Sequence, residues 1–167
     1  MITPGLIPDW YQDNFVNVED LMIFVIGNLL PSFTVGRWTA DSWLDQVLPG
    51  PMATAIRLPG GHMDIYEGYD ECLMQVTVTA NTPDDSYQAM SLIRAVMCPV
   101  EGMPIVMADG YRAYLHWFRE TSGPQMLTVQ QHLDMRMVPA TFRVRVGMKN
   151  RTRYDSVLRN MSNLPQN

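Results

Sequence analysis

Apolar positions along this chain fall first at helical spacing and later at alternate positions. Val18, Leu21, Met22, Val25 and Leu29 recur at i, i+3, i+4, i+7 and i+11, which predicts a helix over Val18–Leu30. Asn17 stands where an N-cap belongs, Asp20 in the box position after it, and Glu19 and Asp20 suit the positive end of the helix dipole. Ile23, Phe24, Ile26 and Leu30 occupy the other faces of the same helix. A helix that is apolar all round has to be buried all round. One face is therefore expected on a sheet, and another, carrying Phe24, Ile26 and Leu30, against a partner chain.

The next segments read as strands and breaks. Phe33–Trp38 is a short strand candidate and Asp41–Leu48 one amphipathic turn, broken by Pro49-Gly50-Pro51. Ala53–Leu58 reads as a strand that Pro59-Gly60-Gly61 ends, and His62–Asp70 as a polar, turn-rich loop. Cys72, Met74, Val76, Val78 and Ala80 alternate with Leu73, Gln75, Thr77 and Thr79, the clearest strand in the chain. Thr82 as cap, Pro83 at the first helical position and Asp85 three residues after the cap open a second helix. Its apolar face is Ala89, Leu92, Ile93, Val96 and Met97, and Pro99 ends it. Tyr111–Arg119 is aromatic-rich and is read as a strand. Two further alternating runs follow, Leu127–Met137 and Thr141–Val146. Strands that succeed one another without a helix between them predict hairpins, so the expected fold is α+β. It is an antiparallel or mixed sheet with two main helices on one face, over residues 1–147. Residues 148–167 form a polar, basic arm that orders on binding.

Charge sharpens this picture. Only 17% of the residues are charged, less than the usual quarter, so part of the surface is expected to be covered by neighbours. Residues 1–110 carry 14 acidic side chains and three arginines, a net −11, whereas residues 111–167 carry nine basic and three acidic ones, a net +6. Of the 12 basic residues only Lys149 is lysine. Arginine pairs bidentately with carboxylates and is weakly hydrated, which suits interfaces. Arg57, Arg94, Arg143, Arg145, Arg151 and Arg153 are the candidate contact cations. Either the two charge sets meet head to tail between copies, or they mix within one folded chain. A nucleic-acid reading of the arginines is weaker, because the whole chain carries −5 and shows no aromatic–basic motif.

The chemistry of sites is thin. Cys72 and Cys98 have no metal-ligand spacing and read as buried thiols. His62 with Asp64, Glu67, Asp70 and Glu71 beyond it is the nearest approach to a metal or hydrolytic site, yet it lacks further ligands. His116 and His132 read as structural, and no serine sits in an elbow. No catalytic residue, metal or cofactor is expected. The longest apolar run, Leu21–Leu30, is half of what a bilayer span of about 20 residues needs, so no membrane is expected.

The succession of segments resembles the tail terminator, or tail completion, proteins of long-tailed (siphovirus-type) phages. A first helix is followed by Leu48-Pro49, then Ile56-Arg57-Leu58-Pro59-Gly60-Gly61 and an acidic turn holding Asp64 and Asp70. Gln75-Val76-Thr77-Val78-Thr79-Ala80 leads at once into a helix, and Ser122-Gly123-Pro124 and Ala140–Val146 close the pattern. The resemblance implies a homo-hexameric ring in the virion that caps the tail tube and joins it to the head-tail connector, after assembly in the host cytoplasm. Its partners would be tail tube protein and connector or stopper protein, with double-stranded DNA passing through the lumen without specific binding. Acids lining such a channel repel phosphate, and Asp64, Glu67, Asp70 and Glu71 are the candidates. Two other readings stay open: another neck protein such as a stopper or adaptor, and a small metal-dependent hydrolase or ligand-binding domain using His62.

Overall fold

The computed structural model describes residues 15–39, 41–47, 49–126 and 136–149. Arg151, Arg153, His132 and most of the predicted arm and of the Leu127–Met137 run lie outside them. The chain runs α1 (Val18–Leu29), β1 (Thr34–Gly36), α2 (Asp41–Leu44), β2 (Met52–Asp64), β3 (Tyr69–Thr79), α3 (Pro83–Met97), a 3-10 turn (Cys98–Val100), β4 (Pro104–Val106), β5 (Arg112–Ser122) and β6 (Met137–Gly147). The six strands form one mixed sheet in the order β1-β2-β3-β6-β5-β4. Only β1 on β2 is parallel. This is the α+β architecture that the alternating runs predict.

The helices start where their caps say. Asn17 Oδ1 accepts the Asp20 N–H of α1 at 3.4 Å. In α3 the Thr82 hydroxyl accepts the Asp85 N–H at 3.1 Å, which satisfies a first-turn donor. α1 and α3 both pack on one face of the sheet. There Val18, Leu21, Met22, Val25 and Ile26 of α1 and Met90, Ile93 and Met97 of α3 meet alternate residues of the central strands. Those residues are Cys72, Met74, Val76 and Val78 of β3, and Val138, Ala140, Phe142, Val144 and Val146 of β6. β3 is paired along its whole length with β2 on one side and β6 on the other, which places it at the centre of the core. Phe118 of β5 stacks on Phe142 with ring centroids 4.4 Å apart.

One strand boundary differs from the sequence reading. Pro59-Gly60-Gly61 does not end the strand. β2 passes through it with a bulge between Leu58 and Gly61, and pairing with β3 resumes at Gly61–Cys72. Gly60 and Gly61 take φ of +112° and +91°, values open to glycine, so two residues bulge out and the hairpin continues to Asp64. Beyond Thr54, β2 has only β3 beside it among the described strands, so Pro59 lies on an open edge where its missing N–H costs no ladder bond. His62 and Asp70 are consequently strand residues rather than loop residues.

Candidate assembly surface

The strand register lays out the face of the sheet that α1 and α3 leave uncovered. Neighbouring strands align Trp117–Arg145–Glu71–His62 in one row and Arg119–Arg143–Leu73–Leu58 in the next. At the far end of this face Met52, Thr77 and Thr79 are buried, whereas Arg119, Arg143 and Ile56 are exposed towards the β2–β3 hairpin. The Arg145 guanidinium lies 4.1 Å from the Tyr69 ring centroid and 4.8 Å from that of Trp117, and the Arg119 guanidinium lies 5.0 Å from the same Trp117 ring. Guanidinium planes held on aromatic faces are already ordered, with less rotamer entropy left to lose on contact. Glu71 is the single acid among them. Arg145 donates to Glu71 Oε2 at 2.7 Å, and Arg143 approaches Oε1 at 3.7 Å.

A second surface lies around the loop Pro49-Gly50-Pro51. The Trp43 indole of α2 donates to the Gly50 carbonyl at 2.8 Å, and the Asn81 amide, just before α3, donates to the Pro49 carbonyl at 3.3 Å. α2 and the start of α3 are thereby held at one corner. Asp41, Asp45, Asp84 and Asp85 are exposed here, and none forms an ion pair with a described cation. Leu44 and Val47 stand exposed beside them, Val47 almost fully. A third surface is an apolar groove of about 220 Å³ between α1 and β4, lined by Phe24, Leu29, Val100, Met103 and Ile105.

The sequence-predicted contact residues fall into separate groups. Phe24 does line a surface groove, but Ile26 is fully buried and Leu30, at the C-cap, is 7% exposed; both belong to the core with the sheet face. Leu29 is the exposed apolar residue of that helix end instead. The four predicted cations among the described residues, Arg57, Arg94, Arg143 and Arg145, each meet a carboxylate within the chain. Arg57 donates to both Asp70 oxygens at 2.8 and 3.0 Å, and this holds its guanidinium pKa above the ordinary value against the effect of burial. Arg94 of α3 forms a fork with Glu120 of β5. The acidic and basic stretches thus partly mix on folding, because β6 pairs with β3 and α3, packed on β3 and β6, reaches β5 through Arg94.

The four candidate channel acids separate as well. Asp70 and Glu71 are each 6% exposed and ion-paired, since strand residues flanked by arginines are shielded from solvent, so neither is a free wall carboxylate. Asp64 shapes the hairpin turn by accepting the N–H groups of Tyr66 and Glu67, and Glu67 is exposed at its tip. The His62 ring contacts the Tyr69 hydroxyl at 3.0 Å. Among the described residues no three His, Cys, Asp or Glu side chains come together as metal ligands, and no helix is long and apolar enough to cross a membrane. Cys72 is buried as expected, and burial pushes its thiol pKa up to about 11. Cys98 is exposed instead, because it caps α3 where the chain turns away from the core.

Sequence reasoning missed Tyr69, Trp117 and Arg119. The signal was present: Trp117 and Arg119, like Arg143 and Arg145, are two residues apart, so in strands each pair shares one face.

A family model described as phage tail termination protein matches residues 14–153, which takes in every described strand and helix. No curated protein matches the chain.

Proposed function

Because the chain belongs to the phage tail termination protein family, we propose that copies of it close into a ring that caps the finished tail tube and joins it to the head connector. A role in the phage tail follows from the family, and so does contact with other tail components. The ring, its six-fold closure and its seat between tube and connector are the finer reading. The observation that carries it is the match itself, which spans the whole described fold. The molecule fits such a role. Its recognisable surfaces are an arginine face, an acidic corner and an apolar groove, and three different surfaces suit contacts with several neighbours at once. DNA would pass through the lumen without specific contact. Of the four acids, Glu67 at the hairpin tip and Asp64 beneath it remain as wall candidates, because Asp70 and Glu71 are neutralised.

The test is direct. Purified chain, alone and with tail tubes, is examined by mass photometry and negative-stain imaging. The expected result is a closed particle near six times 19.0 kDa, or rings seated at one end of the tubes. A chain that stays monomeric and never binds tubes would sink the reading.

A further inference from the structure

The arginine face carries an electrostatic cost that nothing within the described chain offsets. Arg119 and Arg143 are directly opposed on β5 and β6, and like charges in cross-strand pairs destabilise a sheet. Arg145 stands in the next row, and among the described residues only Glu71 neutralises the group. Three arginines against one carboxylate leave a local excess of about +2 on this face. Ile56, Leu58 and Leu73 continue this surface with partly exposed apolar side chains. Ordered arginine and aromatic groups beside an apolar patch are the composition of a protein interface core.

We propose that this face, Trp117, Arg119, Arg143 and Arg145 with the apolar row beside them, takes the acidic corner of a second copy of this chain. The corner offers what the face lacks: Asp41, Asp45 and Asp84, which pair with no cation among the described residues, beside exposed Leu44 and Val47. The two surfaces do not meet within one chain. The arginine rows align with Glu71 and Leu73, whereas the corner adjoins the Thr79 end of β3. Six residues of strand, about 20 Å, separate Leu73 from Thr79, beyond the reach of an arginine and an aspartate together. A basic surface and an acidic surface at two ends of one chain make a heterologous contact, and repetition of it produces a ring or a filament. The inference rests on the ring reading above and names the contact that builds the ring.

Charge reversal tests it. Arg119→Glu with Arg143→Glu, and separately Asp45→Arg with Asp84→Arg, are each expected to raise the dissociation constant of the assembly about 100-fold. All four substitutions in one chain are expected to restore it, because every contact then carries the opposite pairing. Assembly is read by sedimentation velocity, with tail tubes present if the wild type needs them. Circular dichroism melts check the fold, and Arg119→Gln with Arg143→Gln serves as a neutral variant that weakens assembly without adding carboxylates near Glu71. Unchanged assembly in the arginine variants overturns the proposal, and so does a quadruple variant as defective as either pair. Retained assembly with lost binding to a short DNA duplex would overturn it in favour of a nucleic-acid face. A wild type that never assembles overturns both this contact and the ring.

Discussion

Asp70 and Glu71 are neighbours in sequence, yet they face opposite sides of β3 and answer to different arginines. Read along the chain, they continue an acidic turn; read across the sheet, one belongs with Arg57 beside α1 and the other with Arg143 and Arg145. Single residues were legible where their environment was local. Asn17 and Thr82 act as caps because the donors they satisfy lie three residues away. The fate of an acid or a thiol depends on which strand comes alongside, and that is not written nearby. The two cysteines give a test at this scale. At pH 8 one thiol per native chain, Cys98, is expected to react with Ellman's reagent, and both are expected to react in denaturant. Cys98→Ser should leave no reactive thiol in the native protein. The Cys72 pKa is raised by folding from 9.0 to about 11, so its contribution to stability is complete below 9.0 and is lost as pH rises towards 11. Urea midpoints should therefore fall over that window in the wild type, and fall less in Cys72→Ala.

At the scale of elements, the helices and the inward alternation of β3 and β6 could be read directly, because caps and periodicity are local signals. The bulge in β2 could not. Pro-Gly-Gly ends most strands, and here it continues one because β3 already lies alongside to resume the pairing. The bulge makes unequal demands on its two glycines. A Cβ on Gly61 would collide with the backbone of Glu71 and Cys72, at φ +91°, whereas a Cβ on Gly60 would meet only the Leu73 side chain at 3.4 Å. Gly61→Ala is expected to cost about 3 kcal/mol or to unpair the hairpin tip, and Gly60→Ala about 1 kcal/mol. Equal losses in urea denaturation would mean that the bulge does not hold this geometry. Thr82→Ala, which removes the cap of α3, should cost about 1 kcal/mol, and Thr82→Ser should recover most of it.

For the whole molecule, the sequence split of −11 and +6 overstates the separation of charge. Folding puts β6 beside β3 and lays α3 over both, so Arg145 meets Glu71 and Arg94 reaches Glu120 across the two halves. What remains after this pairing is smaller and better placed: an arginine excess at the open end of the sheet and acids at the far corner. A contact between such surfaces is screened by salt, whereas one made through the apolar groove of Phe24, Leu29 and Met103 is not. Between 0.1 and 1 M NaCl the screening length falls from about 10 Å to about 3 Å. If the arginine face joins copies, the dissociation constant of the assembly is expected to rise about tenfold over that range. Burial of apolar surface does not weaken in this way, and excluded salts such as sulfate strengthen it. Sedimentation velocity across the two salts, with sulfate as the contrasting anion, therefore decides which surface carries the contact. An assembly that holds or tightens at 1 M salt would move the main contact to the α1–β4 groove.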